Sequence, residues 1–171
     1  MALEANNANN GEPNVAERKL GHVVLNVTSL ARSVPFYRDV LGLREVARLG
    51  DREREIVGGA MAFFAFGRNH HDVALLEVAA APVPAAGGGG VAGLAHLAIR
   101  IGDHRDQLVA FHQHLRALGV EVHHLRDHTV SLSIYLKDPD GILIEMYVDG
   151  DPQTWTADPA AVATVEPLVL D

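Results

Sequence analysis

The sequence predicts an α+β fold: two βαβββ modules forming a curved, mixed eight-stranded sheet around a metal-binding cavity, with the helices outside. Three observations carry this. Residues 20–27, LGHVVLNV, return as LAHLAIRI at 94–101. Each copy is followed by a helix-like segment that stops at a glycine, VPFYRDVLGL in the first half and VAFHQHLRALGV in the second. Between the halves lies AAAPVPAAGGGG, residues 79–90, too rich in Pro and Gly for a strand or helix.

The elements follow in order. Residues 1–18, rich in Asn and Ala without apolar periodicity, read as a flexible arm. The first module, 19–80, continues from its helix into strand-like runs LREVARL, MAFFAFG and HDVALLEV. After a linker at 81–91, the second module, 92–149, continues into VEVHHL, SLSIYL and ILIEMYV, and a tail at 150–171 packs on the body with Trp155 as its anchor. One such module leaves a sheet face uncovered, so two placed side by side share a concave face.

Composition narrows the function classes. With 48% apolar residues the chain can bury a core, and no apolar run is long enough to span a membrane. The opening residues lack a basic stretch followed by an apolar one, which predicts a cytoplasmic protein. A formal charge of −8 without clustered Lys and Arg argues against nucleic acid and anionic membrane as partners. The absence of cysteine leaves His, carboxylates and water as metal ligands.

Strand alternation selects the candidates. His22, Val24 and Asn26 share one face of the first strand, and His96, Ala98 and Arg100 share the matching face of its repeat. On the last strand Leu143, Glu145 and Tyr147 point inward, and on its neighbour Ser131, Ser133, Tyr135 and Lys137 do so. A lone inward His is ordinarily a hydrogen-bonded structural residue, but His22 and His96 fall at the same place in both repeats. Glu145 lies among apolar neighbours, where a buried carboxylate needs a compensating cation. Two histidines and one carboxylate can bind one face of Fe(II) and leave the opposite positions for a substrate and O2.

The repeats with two inward histidines and a terminal Glu, closing on IYLKDPDGILIEMY, resemble the vicinal-oxygen-chelate superfamily of glyoxalases, bleomycin-resistance proteins and extradiol dioxygenases. The closing hairpin is widespread there and speaks for the fold. Narrower matches resemble the one-domain type I extradiol ring-cleaving dioxygenases, of the catechol 2,3-dioxygenase kind. FGRNHHDVALL is similar to the stretch that sets His71 beside the metal. His128 before the hairpin and Tyr135, ten positions ahead of Glu145, resemble the family's other active-site histidine and its tyrosine. QTWTADPAAV resembles the segment after the catalytic module. The large members carry an additional module pair, and this chain has one.

The resemblance implies Fe(II), with Mn(II) as the alternative ion, held by His22, His96 and Glu145, with a small aromatic diol and O2 as reactants. His71 and His128 would move protons, and Tyr135 would orient a hydroxyl. Two other readings stand beside it. Glu77, taken as the first module's counterpart of Glu145, would complete a four-ligand site for Zn(II) or Ni(II) and a glyoxalase-like isomerase. A metal-free protein could use the same cavity to hold an aromatic molecule. Exposed sheet edges predict a homodimer or larger homo-oligomer.

Overall fold

The computed structural model describes residues 19–79 and 93–170; the arm expected at 1–18 and the linker expected at 81–91 lie outside the described residues. The first module runs β1 (Val23–Val27), α1 (Leu30–Pro35), β2 (Arg44–Arg48), α2 (Asp51–Val57), β3 (Met61–Ala65) and β4 (Val73–Glu77). The second runs β5 (Leu97–Gly102), α3 (Arg105–Ala117), β6 (His124–Asp127), β7 (Ser131–Lys137) and β8 (Leu143–Asp149). After it come α4 (Pro152–Ala157), a 3-10 helix (Pro159–Ala163) and a short β9 (Glu166–Pro167).

The α+β architecture and the doubled βαβββ order are as the sequence predicts, with one difference. The strands form two sheets, β1-β4-β3-β2 and β5-β8-β7-β6-β9, in place of one continuous eight-stranded sheet. Each sheet has the same internal pattern: a parallel pair formed by the module's first and last strands, β1 with β4 and β5 with β8, then antiparallel neighbours. The alternation holds as expected. Val24 and Asn26 are exposed while Leu25 and Val27 are buried, and Ala98 and Arg100 are exposed while Ile99 is buried.

The helix stops fall where glycine was read. Gly42 and Gly119 adopt φ of 75° and 68°, the left-handed region that L side chains resist. Pro35, inside α1, has no N–H to continue the ladder, and the chain widens into a π turn at Phe36–Val40, closed by Leu41 N–H donating to Phe36 O at 3.1 Å. α2 was invisible to apolar periodicity because it buries no residue. Its first turn carries Asp51 and Glu53, favourable beside a helix N-terminus, and Gly58 at φ 80° ends it. β6 begins at His124, later than the VEVHHL run implied, because pairing with β7 sets its register, His124 opposite Tyr135.

One apolar core joins the modules: Leu25, Val27, Tyr37, Phe64 and Leu75 cluster with Ile99, Leu108, Leu115, Ile134 and Met146. A polar strut reinforces it where α1 meets the turn between β7 and β8. The Tyr37 hydroxyl, fully buried, donates to Asp138 Oδ2 at 3.0 Å. Thr28 donates from its backbone N–H to Asp140 Oδ2 at 2.9 Å and from its hydroxyl to Oδ1, and Arg32 reaches Asp140 Oδ1 at 3.0 Å. Burial pushes the Asp138 carboxyl above the usual carboxylate range; burial and the Asp138 charge push the Tyr37 phenol upward.

Candidate active site

Strand register assembles a row of side chains across the second sheet. Ala98 of β5 pairs with Glu145 of β8, Glu145 with Tyr135 of β7, and Tyr135 with His124 of β6. His96, two residues before Ala98 and on the same face, brings Nε2 to 2.9 Å from Glu145 Oε2. The Ser133 hydroxyl donates to Glu145 Oε1 at 2.6 Å. Glu145 is 7% exposed and Ser133 is fully buried, so the carboxylate is compensated by two donors.

Tyr135 links this carboxylate to the chain's end. Its hydroxyl lies 3.0 Å from His128 Nε2, and His128 Nδ1 lies 2.9 Å from the Thr164 carbonyl. A carbonyl only accepts, so Nδ1 carries a proton, and in the singly protonated ring Nε2 is left to accept from the phenol. Burial raises the Tyr135 phenol, and the Glu145 charge raises it further. His124 stacks on the Tyr135 ring at 4.3 Å between centroids, and its imidazole is pushed below the usual histidine range by burial and then by Arg126 and His123.

His22 and His71 form a second group on the first module. Their ring centroids lie 4.4 Å apart with the planes tilted by 46°, His70 Nδ1 approaches His71 Nδ1 at 2.6 Å, and Phe63 meets His71 edge-on at 5.2 Å. Burial, then the neighbouring His22 and His70, holds the His71 ring below the usual range. The structure therefore divides the predicted residues: His96, Glu145, Tyr135 and His128 come together, while His22 and His71 pair with each other. As the side chains stand, no group of three or more His, Asp or Glu among the described residues is close enough to hold a metal ion. His22 nonetheless lines a cleft of about 240 Å³ with Leu97 and Ala98, the residues that follow His96.

The donor set fits a first-row divalent metal in part of its geometry. Two ligand atoms each about 2.1 Å from a metal and at right angles are about 3 Å apart, and the His96 Nε2 to Glu145 Oε2 spacing of 2.9 Å matches that bite. Ser133 would hold the outer carboxylate oxygen, as partners of metal ligands commonly do.

Glu77 requires a correction. In register, Val24 pairs with Ala74 as Ala98 pairs with Glu145, so the counterpart of Glu145 is Ala74. Glu77 lies three residues further along β4, on the opposite face, and its Oε2 accepts from Leu30 N–H at 2.6 Å at the start of α1. It ties strand to helix and does not stand at the position equivalent to Glu145.

Glu145 also lines a cavity of about 500 Å³ with Tyr147 and Asp149 of β8, Trp155 of α4, and Pro159 and Val162 of the 3-10 helix. Ser133, His124 and this wall carried no role in the sequence reading. Alternation placed Ser133 beside Tyr135, but only register reveals His124, and only the folded tail brings Trp155 to the cavity.

A profile of the Glyoxalase/Bleomycin resistance protein/Dioxygenase superfamily matches residues 19–146. The chain belongs to this superfamily. Among curated relatives it is 34% identical over 140 residues to "Catechol-2,3-dioxygenase" of Bacillus subtilis (strain 168), covering 81% of this chain and 44% of that one. It is 32% identical over 160 residues to "Iron-dependent extradiol dioxygenase" of Rhodococcus jostii (strain RHA1), covering 82% of this chain and 47% of the relative. The chain thus spans about half the length of these two relatives. Among solved structures, a glyoxalase/dioxygenase from Nostoc punctiforme superposes with TM-score 0.60 at 24% identity, covering 78% of this chain and 92% of that one. The fosfomycin resistance protein FosX of Listeria monocytogenes, in a mutant form complexed with Mn(II), superposes with TM-score 0.59 at 21% identity, covering 81% and 97%. The superfamily's fold is therefore shared with several chemistries, and its dioxygenase members supply the curated relatives named here. No helix among the described residues is long and apolar enough to cross a membrane.

Proposed function

We propose that the protein is an Fe(II)-dependent extradiol dioxygenase that opens a catechol-type ring with O2. The observation that carries this is the His96–Glu145 pair at ligand spacing, one strand from a phenol bonded to a histidine. The named dioxygenase relatives support the same reading. His22, His96 and Glu145 would hold the ion, which supplies adjacent positions for diol and O2 and an electron path between them. Both oxygen atoms of O2 enter the product, so no organic cofactor is required.

The chain's own residues then have defined tasks. Ser133 keeps Glu145 oriented. Tyr135 offers its hydroxyl to an incoming diol, and His128 can take a proton at Nε2 because the Thr164 carbonyl fixes the proton of its other nitrogen. His71, beside His22, would serve the oxygen side of the site. A glyoxalase-like isomerase built on four protein ligands loses its fourth, since Ala74 stands at the Glu145-equivalent position. Self-association into a homodimer or larger belongs to the same proposal, and light scattering across a concentration range checks it; a strict monomer counts against it.

The test is anaerobic loading with Fe(II), followed by metal analysis and O2 uptake with catechols. Uptake with a yellow ring-opened product supports the proposal. Uptake absent at full iron occupancy, or turnover with Zn(II) alone, refutes it.

A further inference from the structure

The turn that follows β6 holds His128 by its backbone as well as by its ring. Residues 128–130 join β6 to β7, and Val130 N–H donates to His128 O at 2.7 Å, closing a three-residue turn over Thr129. Thr129 stands at φ 67°, the only non-glycine residue with positive φ among the described residues, and a β-branched side chain resists that region. Its side chain is exposed, so packing does not offset the strain. Backbone bonds hold the turn instead: Thr129 N–H donates to Asp127 Oδ1 at 2.7 Å, and His128 N–H donates to Ser131 O at 2.9 Å. Gly150, directly after β8, closes on it from the other side. Its N–H donates to Val130 O at 2.8 Å, and a Cβ there would lie 2.8 Å from Thr129 O and 3.2 Å from Val130 O. The φ of Gly150 is not left-handed, so this glycine supplies space and not conformational freedom.

We propose that Gly150 is a positioning residue for His128, acting through Thr129: it lets the chain leave β8 against the Thr129 carbonyl, clamps the strained turn, and so sets the imidazole between Tyr135 and Thr164. The inference rests on the dioxygenase reading, in which His128 takes a proton at Nε2. The ring is held at both nitrogens, Nδ1 at 2.9 Å from the Thr164 carbonyl and Nε2 at 3.0 Å from the Tyr135 hydroxyl. A rigid ring keeps both bonds over a narrow range of backbone positions, so a displaced turn lengthens one or both. Strained backbone persists where its surroundings over-determine it, and here it adjoins the group that would handle the proton. A methyl group at 150 would meet main-chain oxygens, which cannot swing aside as a side chain does. The turn would have to yield by about half an ångström.

The test compares the full chain with Gly150→Ala, Thr129→Gly and the double variant. Nitrogen NMR of the metal-free proteins at about pH 8, with His128→Asn to identify the signals, reads the His128 tautomer without turnover. The parent should show Nδ1 protonated; in Gly150→Ala the ring, freed from the carbonyl, should divide between both tautomers. With Fe(II) and catechol, Gly150→Ala should lose about tenfold or more in kcat, with KM and metal content unchanged. Thr129→Gly should keep the parent's tautomer and kcat, because glycine accepts the left-handed turn. The double variant should recover most of the loss, since glycine at 129 lets the next peptide rotate away from the new methyl group without moving His128. If Gly150→Ala does not fold, Asp127→Ala, which removes the acceptor of Thr129 N–H, carries the test and should lower kcat several-fold with the same tautomer change. Parental kcat and tautomer in the folded variant would overturn the inference, as would a loss that follows metal content or that Thr129→Gly does not relieve. If the tautomers respond as expected while the Fe(II)-loaded parent cleaves no catechol, the dioxygenase reading alone fails.

Discussion

Ser133→Ala isolates the support beneath the proposed metal ligand. Its hydroxyl, fully buried, makes a 2.6 Å hydrogen bond to Glu145 Oε1, and the variant removes that donor while leaving the carboxylate in place. A hydrogen bond to a charged group contributes about 1.5–3 kcal/mol net, so the metal-free variant should lose about that much stability. His96 remains as the second donor at 2.9 Å, which bounds the loss. Metal affinity should fall about 10–100-fold, the usual consequence of removing a ligand's hydrogen-bond partner. Urea unfolding of the metal-free protein measures the first quantity, and competition with a calibrated chelator measures the second. Unchanged stability together with unchanged affinity would show that Ser133 does not orient Glu145 and would break this part of the site.

Other perturbations separate binding, chemistry and scaffold. Tyr135→Phe keeps the ring but removes the hydroxyl bonded to His128, so kcat should fall at least about tenfold with metal content unchanged; metal analysis beside turnover checks the split. Glu77→Gln should leave metal affinity intact and cost about 0.3–1 kcal/mol, because Glu77 holds the start of α1; loss of metal would restore the four-ligand reading. Asp138→Asn addresses pH dependence. Because burial raises the native Asp138 pKa, the native state binds the extra proton, and this stabilising contribution is present below the unfolded carboxylate range and lost as pH rises through the raised value. The variant should lose that downward component as pH rises above the usual carboxylate range, seen as a difference between urea-unfolding curves; an identical pH slope refutes the assignment.

The fold was legible because each module states its own period. Leu25 and Val27 against Val24 and Asn26, repeated as Ile99 against Ala98 and Arg100, mark both crossover strands, and Gly42 and Gly119 end both helices. What alternation does not contain is register. It could not show that Ala74, and not Glu77, stands opposite Val24, nor that His124 lies over Tyr135, because both depend on the hydrogen-bond register between paired strands. α2 escaped for a different reason, as a helix that buries nothing has no apolar stripe to read.

The candidate site shows the same division. Alternation placed Ser133, Tyr135 and Glu145 on one face, where the structure has them in contact or in register. It also placed His22 on the inner face, but which neighbour an exposed imidazole meets depends on side-chain rotation, and here His22 meets His71. The place of the tail was hidden because Trp155 and Val162 line the cavity through the tertiary return of the chain after β8, where β9 pairs with β6.

Oxygen-isotope labelling tests the central claim most directly. Fe(II)-loaded protein is given a catechol under labelled O2, and the ring-opened product is analysed by mass spectrometry, with His96→Ala as the control. The account predicts that both atoms of labelled O2 appear in the product and that the control makes none. Product formed without label, or formed equally well without O2, would contradict it.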